Sequence, residues 1–399
     1  MWHFYSPNVI YGENALDHFE KIPGEKCFIV TDDVLVKLGI LKILTDRLDQ
    51  YGKKYEVCTD VKPDPHEDDV LIAKEKCVKY NPDIVIGLGG GSVLDTAKVV
   101  WALYEFPDII MDEINVINPN LYKKEWRSIL VGIPTTSGTG AETTNVSVIS
   151  RFQNDIWKKF FFLHPSIMPS EAIVDPVFIM KMPHDLTINT AFDALTHALE
   201  GLSSQFKNEF TYALGLKATE LIYKYLPIVN KDPDNFEARD NLHLAASMAG
   251  ISFGNSQAHL AHNLGHSWGS LYHVPHGRAV GIFLPYTTKF VLNNKVDNGE
   301  TIKLFAKVAK QLGWANWDDI DEKAANNVVA KIIELQKEVS FPLSLKENGA
   351  TTEQLENGLE TLVNLGFEDS TGVLSPRSAT SDDFRRLYKY AFEGKDVDF

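Results

Sequence analysis

Cysteine and long apolar runs are both scarce in this sequence of 399 residues. Its three cysteines are odd in number and confined to the first quarter of the chain, which excludes a disulfide framework and favours a reducing compartment. No stretch reaches the ~18 consecutive apolar residues that a membrane span needs. Residues 1–7 lack the basic start and apolar core of a secretory signal. We therefore expect a cytoplasmic protein.

Basic residues are also in the minority, with 39 Lys and Arg against 54 Asp and Glu and a net charge of -15. Such a charge repels phosphate polyanions, so we expect neither nucleic acid nor an anionic membrane among the partners. Hydrophobic residues make up 44% and charged residues 23%, which is an ordinary globular composition. A chain of this length usually folds as two domains.

The first half of the chain alternates short apolar runs with helical periodicity. Strands are predicted at 26–31, 54–58, 83–86 and 128–134, with helices between them. This alternation predicts a parallel sheet flanked by helices. Ser92 is predicted to cap the helix that follows the third of these strands, with Asp95 as its capping-box partner. Residues 107–127, rich in Pro, Asn and Asp, are expected to form a long surface loop.

Helical periodicity dominates after about residue 180. The predicted helices cover 189–204, 208–226, 236–256, 257–273, 300–312, 321–338 and 351–363. We therefore predict an α/β domain over residues 1–180, followed by an all-helical domain over residues 181–399.

Two pairs of polar residues in the helical half have the spacing of metal ligands. Asp193 and His197 are four residues apart, so they share one face of a helix. His262 and His266 repeat this spacing, and Pro275 is expected to end their helix and leave His276 in a turn that can fold back. Five of the 12 histidines fall within an 18-residue stretch: His259, His262, His266, His273 and His276. A carboxylate with three imidazoles suits a divalent transition metal.

Simpler interpretations of these residues stay open at this level. Asp193 and His197 alone could form a polar stripe on an amphipathic helix, because such spacing often arises by chance. The histidine cluster is harder to explain without a site, since polar side chains rarely gather so densely. Spacing alone does not decide which of the five histidines bind a metal.

Two small-residue loops follow strands in the first half. Gly89-Gly90-Gly91-Ser92 opens a helix, where bare backbone N–H groups and the helix dipole favour phosphate. It is an imperfect dinucleotide fingerprint, which a tight strand–helix turn explains as well. The second loop, residues 134–144, offers hydroxyls and glycines to a ribose or pyrophosphate, although a merely Ser/Thr-rich loop is the alternative. The acid that usually follows the glycines is missing, and the candidate acid, Asp32, precedes them.

Taken together, these motifs resemble the iron-containing, or group III, alcohol dehydrogenases. The resemblance is carried by residues 89–98, 134–142, 193–200, 262–277 and 376–380. It implies a Rossmann-like NAD-binding domain and an all-α metal-binding catalytic domain, with the site in the cleft between them. It also implies a homodimer or a higher homo-oligomer.

The family's functional residues can be matched to positions in this chain. The resemblance implies metal binding by Asp193, His197, His262 and His276, and a proton relay at His266. The metal is expected to be Fe2+, with Zn2+ as the alternative. The matching cofactor residues are Asp32, Gly89, Gly90, Gly91, Ser92, Thr135, Thr136, Thr139, Thr144 and Lys159. An acid at Asp32 accepts hydrogen bonds from a ribose 2′-hydroxyl and repels a 2′-phosphate, so NAD is favoured over NADP.

The expected reaction is reversible hydride transfer between a small primary alcohol and NAD, with the aldehyde as product or substrate. Val146 and Val148 match a variable part of the family's substrate pocket and favour a simple alkanol over a diol. His259 is expected to be either an additional pocket group or a surface residue. A dehydroquinate synthase-like sugar-phosphate lyase is disfavoured because residues 189–276 have few basic side chains for a phosphate. A non-catalytic metal-binding protein is disfavoured by the cofactor loops.

Overall fold

The computed structural model describes residues 3–62, 64–122, 126–153 and 156–399, without the side chains of residues 153, 156 and 157. The chain divides into two compact units, Met1–Met182 and Pro183–Phe399. The first is built on a parallel sheet and the second on helices. This confirms the predicted fold class.

The N-terminal unit contains a six-stranded sheet and a separate two-stranded hairpin. Its strands are β1 (Asn8–Tyr11), β2 (Lys26–Val30), β3 (Lys54–Cys58), β4 (Ile84–Gly89), β5 (Ile129–Pro134), β6 (Val146–Gln153), β7 (Ile156–Leu163) and β8 (Glu171–Val174). The sheet order is β1-β8-β5-β4-β2-β3, and every neighbouring pair in it is parallel. The central strands β4 and β5 are almost wholly buried, because helices cover both faces of such a sheet.

Four helices accompany the sheet: α1 (Asp33–Lys37), α2 (Ile40–Gln50), α3 (Glu67–Tyr80) and α4 (Gly91–Glu105). Successive side chains of a strand point to opposite faces of the sheet. Phe28 and Val30 therefore pack into one core with α3 and α4, whereas Cys27 and Ile29 pack into a second core with α2. The unbroken apolar runs of the sequence thus supply two cores.

The predicted capping of α4 by Ser92 is wrong. The helix begins at Gly91, its N-cap is the extended residue Gly90, and no side chain caps it within the part of the chain described. Ser92 lies inside the first turn, where its carbonyl accepts a hydrogen bond from Thr96 Oγ1 at 2.8 Å. The Asp95 carboxylate accepts instead from the Val148 backbone N–H at 2.9 Å.

The segment after α4 is more ordered than the predicted surface loop. Residues Met111–Glu113 and Pro119–Leu121 form short 3-10 helices, and Met111, Ile114 and Leu121 are buried in the core with α4. Residues 123–125 of the predicted loop lie outside the described residues. The sequence also gave no indication of β1, β8 or the antiparallel β6–β7 hairpin.

The C-terminal unit packs its helices around one hydrophobic core. The helices are α5 (His184–Ser203), α6 (Glu209–Lys231), α7 (Phe236–Ser256), α8 (Leu260–Tyr272), α9 (His276–Leu292), α10 (Glu300–Gln311), α11 (Asp321–Glu338), α12 (Thr352–Glu368) and α13 (Ser381–Glu393). Seven correspond to predicted helices, whereas α9 and α13 were not predicted. Across the described parts of both units, every helix is too short or too polar to cross a bilayer.

The predicted placement of His276 in a turn is wrong. Helix α8 ends at Tyr272, where His273 takes a left-handed conformation with φ 55°. Pro275 is the N-cap of α9, and His276 is the first residue of that helix. A proline just before a helix costs no hydrogen bond, because the first N–H groups of a helix have no partner inside it. Pro275 therefore marks the start of α9 and not only the end of the preceding helix.

Candidate metal centre and cofactor loops

Four polar side chains from three helices converge on one point of the C-terminal unit. Asp193 and His197 lie one turn apart on α5, His262 lies in the first turn of α8, and His276 begins α9. One potential ligand atom from each lies within 4.8 Å of the other three. Asp193 Oδ1 is 3.7 Å from His197 Nδ1, 3.7 Å from His262 Nε2 and 3.2 Å from His276 Nε2. The structure therefore brings together the four residues proposed as ligands.

Glycines allow the three helices to approach closely enough for this arrangement. A Cβ atom on Gly277 would overlap the backbone oxygen of Asn189 on α5 and lie 3.1 Å from Asp193 Cβ. A Cβ atom on Gly265 would lie 2.6 Å from Val280 Cγ1, between α8 and α9. These contacts set the first turn of α9 directly against the metal-site face of α5.

Three of the converging atoms are buried and lack a hydrogen-bond partner among the described residues: Asp193 Oδ1, His197 Nδ1 and His262 Nε2. A buried polar atom without a partner costs about 1–3 kcal/mol. A divalent cation would satisfy all three at once, and one oxygen with three imidazole nitrogens suits Fe2+ or Zn2+. The residues present therefore fit the metal that the sequence predicts.

The electrostatics of the cluster favour a cation. Burial opposes ionisation of Asp193, but His197 and His276 outweigh it and hold the pKa of that carboxyl well below its usual range. Burial lowers the pKa of His197 to about 3 despite the neighbouring Asp193, so its imidazole stays neutral. Burial also disfavours the charged form of His262, but Asp193 and Glu200 overcome it and raise its pKa to about 9. A proton must therefore leave His262 before Nε2 can bind a cation.

His266, the predicted proton relay, lies one turn beyond His262 on α8. Its ring is 5.1 Å from the His276 ring, and its Nδ1 is 2.7 Å from Asp369 Oδ2. Burial lowers the pKa of His266 to about 4, although Asp369 works against this effect. Asp369 follows α12 and was not anticipated from the sequence, since nothing in the spacing connects it with a histidine 103 residues earlier.

The two glycine- and threonine-rich loops of the N-terminal unit contact each other. The Thr135 backbone N–H donates to the Gly89 carbonyl at 3.0 Å. Cβ atoms on Gly90 and Gly91 would lie 3.4 Å from Thr136 Cγ2 and 2.9 Å from Thr139 Cγ2, respectively. Ser92 follows in the first turn of α4, so the loops meet at the carboxyl ends of β4 and β5. Nucleotides typically bind at this edge of a parallel sheet.

The remaining predicted cofactor residues lie apart from this contact or already have partners. Asp32 lies at the carboxyl end of β2, beside β4, and accepts a hydrogen bond from the Leu35 N–H at 2.9 Å. Thr144 is buried and accepts from Lys98 Nζ at 2.8 Å. Lys159 lies on the β6–β7 hairpin with its Nζ 4.0 Å from Asp64 Oδ1.

The structure defines the environment of His259, whose role the sequence left open, and of the predicted pocket residue Val148. His259 is 3% exposed, so the prediction of a surface residue is wrong. Its Nε2 lies 3.0 Å from Ser203 Oγ, and its Nδ1 lies 3.1 Å from Glu200 Oε1. Val148 is half-buried on β6, and its backbone N–H donates a hydrogen bond to the Asp95 carboxylate on α4.

Family models match almost the whole chain. The model described as iron-containing alcohol dehydrogenase matches residues 6–176, and the model for the C-terminal part of the Fe-containing alcohol dehydrogenase family matches residues 187–392. The chain belongs to the iron-containing alcohol dehydrogenase family. It is an oxidoreductase of the alcohol dehydrogenase class, and neither the lyase nor the non-catalytic alternative is favoured.

Individual relatives agree with this placement. The chain is 31% identical to an NADPH-dependent butanol dehydrogenase of Clostridium saccharobutylicum, over 98% of each sequence. It is 30% identical to a 1-propanol dehydrogenase of Citrobacter freundii, over 94% of this chain and 95% of the relative. An aldehyde-alcohol dehydrogenase of Streptococcus pneumoniae is 30% identical over 97% of this chain, which spans only 46% of that longer protein.

Solved structures show the same fold. An alcohol dehydrogenase from Oenococcus oeni has a TM-score of 0.89 and 26% identity, covering 98% of this chain and 100% of its own. A sulfoacetaldehyde reductase from Bifidobacterium kashiwanohense, solved in complex with NAD+, has a TM-score of 0.83 and 25% identity over 98% of each chain.

Proposed function

We propose that this protein catalyses reversible hydride transfer between a small primary alcohol and NAD, assisted by a divalent metal. Asp193, His197, His262 and His276 would hold the metal. The observation that carries this proposal is the convergence of these four side chains, three of them with buried ligand atoms that lack a hydrogen-bond partner among the described residues. A bound divalent cation supplies Lewis acidity toward an alcohol or carbonyl oxygen.

His266 is proposed to carry the proton. Its Nδ1 lies 2.7 Å from the Asp369 carboxylate, which accepts hydrogen bonds and cannot donate one when ionised. Nδ1 therefore keeps its hydrogen, and the lone pair on Nε2 accepts the proton that leaves the alcohol. Burial lowers the pKa of His266 to about 4, which keeps its imidazole in the neutral form before the proton transfer.

The N-terminal half, residues 1–180, is proposed to bind the cofactor through the two contacting loops and Thr144, with Lys159 nearer the nicotinamide. Residues 181–399 would form the metal-binding catalytic half. NAD is preferred over NADP because the Asp32 carboxylate would repel a 2′-phosphate. One relative is named as NADPH-dependent and one structural relative binds NAD+, so relatives of this chain differ in cofactor.

Fe2+ is the proposed metal on the strength of the family, with Zn2+ as the alternative. Anaerobic reconstitution of the metal-free protein with each ion, followed by activity per bound metal, separates them. Higher turnover with zinc would contradict iron.

A short-chain alkanol such as propanol or butanol is the proposed substrate class. The two similar dehydrogenases named for these alcohols support it, as do the half-buried apolar side chains of Val146 and Val148. Turnover measured on a panel of alkanols and diols with NAD tests this choice. Faster oxidation of a diol than of butanol would contradict it.

The decisive test of the function is His276→Ala. We expect turnover and metal content to fall together while NADH binding persists, because the cofactor loops are untouched. His273→Asn is the matched control, since it removes a nearby exposed histidine and asparagine tolerates the left-handed conformation there. Full activity of His276→Ala without bound metal would refute the proposed function.

We also propose a cytoplasmic location and a homodimer or a higher homo-oligomer. The three buried free thiols, Cys27, Cys58 and Cys77, support a reducing compartment. Cell fractionation and light scattering of the purified protein test the two proposals, and a secreted or monomeric protein would contradict them.

A further inference from the structure

Glu200 is a buried acid next to the metal-binding residues that the proposed function leaves without a role. It lies on α5, three residues after His197, and its side chain is 2% exposed. Its Oε2 lies 2.7 Å from His262 Nδ1 and accepts from the His259 backbone N–H at 2.9 Å. Its Oε1 accepts from the Ala261 backbone N–H at 2.6 Å. Glu200 therefore connects α5 to the start of α8 through contacts with His259, Ala261 and His262.

We propose that Glu200 is a positioning residue that fixes the tautomer and orientation of His262 for metal binding. A carboxylate that already accepts two backbone N–H groups is ionised and has no hydrogen to donate. The short contact with His262 therefore requires the hydrogen to be on Nδ1. In the neutral imidazole that binds a metal, the lone pair is then on Nε2, the atom that lies 3.7 Å from Asp193 Oδ1.

The unused end of the imidazole supports this assignment. His262 Nε2 is buried and has no hydrogen-bond partner within the described ranges. If the hydrogen were on Nε2 instead, it would occupy the position that a cation needs. Carboxylates commonly orient metal-binding histidines in this way, and their loss typically weakens metal binding by about 10–100-fold.

A purely structural role must be separated from this one. His259 is the N-cap of α8 but makes no side-chain capping bond among the described residues, so Glu200 satisfies N–H groups that the helix start leaves free. A residue that acted only as a cap would stabilise the helix without changing the metal affinity of the folded protein. A positioning residue changes the metal affinity itself.

The test is Glu200→Gln, which keeps the side-chain shape but replaces one acceptor oxygen with a donor. Asp185→Asn is the matched control, because it removes the same charge from the same helix at a side chain that is 89% exposed. Dissociation constants for Zn2+ and Fe2+ are measured by chelator competition on folded, metal-free protein, together with NADH binding. We expect metal binding about 10–100-fold weaker in Glu200→Gln, with NADH binding retained, and wild-type affinity in Asp185→Asn.

Wild-type metal affinity in Glu200→Gln, with only a lower melting temperature, would overturn the proposal and leave Glu200 a helix cap. Should the variant fail to fold, nitrogen-15 NMR of histidine in the zinc-loaded wild type decides: His262 must carry its hydrogen on Nδ1 and bind through Nε2. The inference rests on the proposed function, but the two fail differently. A wild-type protein that binds no divalent metal overturns both, whereas normal binding by Glu200→Gln overturns only the role of Glu200.

Discussion

The two candidate sites are built from different materials. In the N-terminal unit, glycines and hydroxyl side chains meet at the carboxyl ends of β4 and β5, so the candidate site consists largely of backbone groups. In the C-terminal unit, the site consists of ionisable side chains from α5, α8 and α9, of which those on α5 and α8 are buried. A backbone site depends on local loop geometry, whereas a side-chain site depends on how distant helices pack. The two should therefore respond separately to substitution.

A pair of glycine substitutions tests this separation most strongly. In Gly277→Ala the new methyl group overlaps the Asn189 backbone, so the start of α9 must move and carry His276 with it. Such overpacking costs about 1–3 kcal/mol, which corresponds to about 5–150-fold in metal affinity if the cost falls on the site. Chelator competition should detect this loss while NADH binding stays at the wild-type level.

Gly91→Ala is the matched control, because it should impair cofactor binding and leave the candidate metal site unchanged. Its methyl group would lie 2.9 Å from Thr139 Cγ2, between the two cofactor loops. We expect weaker NADH binding, measured by fluorescence titration, with unchanged metal content. If either substitution impaired both ligands equally, the two sites would not be independent.

Acid should also separate the two regions, because buried neutral histidines are concentrated in the helical unit. Burial lowers the pKa of His243 on α7 to about 3. His243 therefore binds a proton more readily in the unfolded chain than in the folded protein. Its contribution to the free energy of unfolding is fully present above about pH 6.5 and is lost as the pH drops toward 3. One such histidine contributes a slope of about 1.4 kcal/mol per pH unit.

Urea unfolding of the metal-free protein between pH 7 and pH 4 measures this effect. His243→Gln should flatten the profile, whereas His184→Gln, which removes a histidine that is 46% exposed, should leave it unchanged. An identical slope in wild type and His243→Gln would show that other groups control the acid sensitivity.

The smallest expected effect concerns the choice of cofactor. Asp32→Asn removes the charge that would repel a 2′-phosphate, and asparagine still caps α1. We expect the ratio of kcat/KM for NADPH over NADH to rise about tenfold, a change of ~1.4 kcal/mol, with the melting temperature preserved. The exposed neighbour Asp33→Asn is the control. An unchanged ratio would show that Asp32 does not discriminate between a ribose 2′-hydroxyl and a 2′-phosphate.

Most long helices and the central strands could be predicted from local sequence patterns. Elements that exist because of contacts with distant parts of the chain could not. Helices α7 and α11 were predicted with the bounds observed. Strands β1 and β8 are only four residues long and are defined by pairing with each other across the chain. Helix α13 does have a local signal in the sequence, because Thr380 and Asp383 form a capping box at its start.

The same difference between local and distant contacts is found within the candidate metal site. Asp193 and His197 were visible as a helical pair, and the resemblance to a family selected His262 and His276 from the five clustered histidines. Glu200 and Asp369 were not anticipated, because their partners lie 62 and 103 residues away and no spacing rule connects them. Supporting acids of this kind depend on the packing of whole helices, which periodicity does not encode.

The link between His266 and Asp369 has a practical consequence. The residues that would retain the ion end at position 276, whereas Asp369, the acid that contacts the proposed proton carrier, comes much later in the chain. If His266 carries the proton as proposed, damage to the segment after α12 would spare the ion and still slow the enzyme. The amount of iron or zinc in a preparation would then be a poor measure of the fraction of active protein.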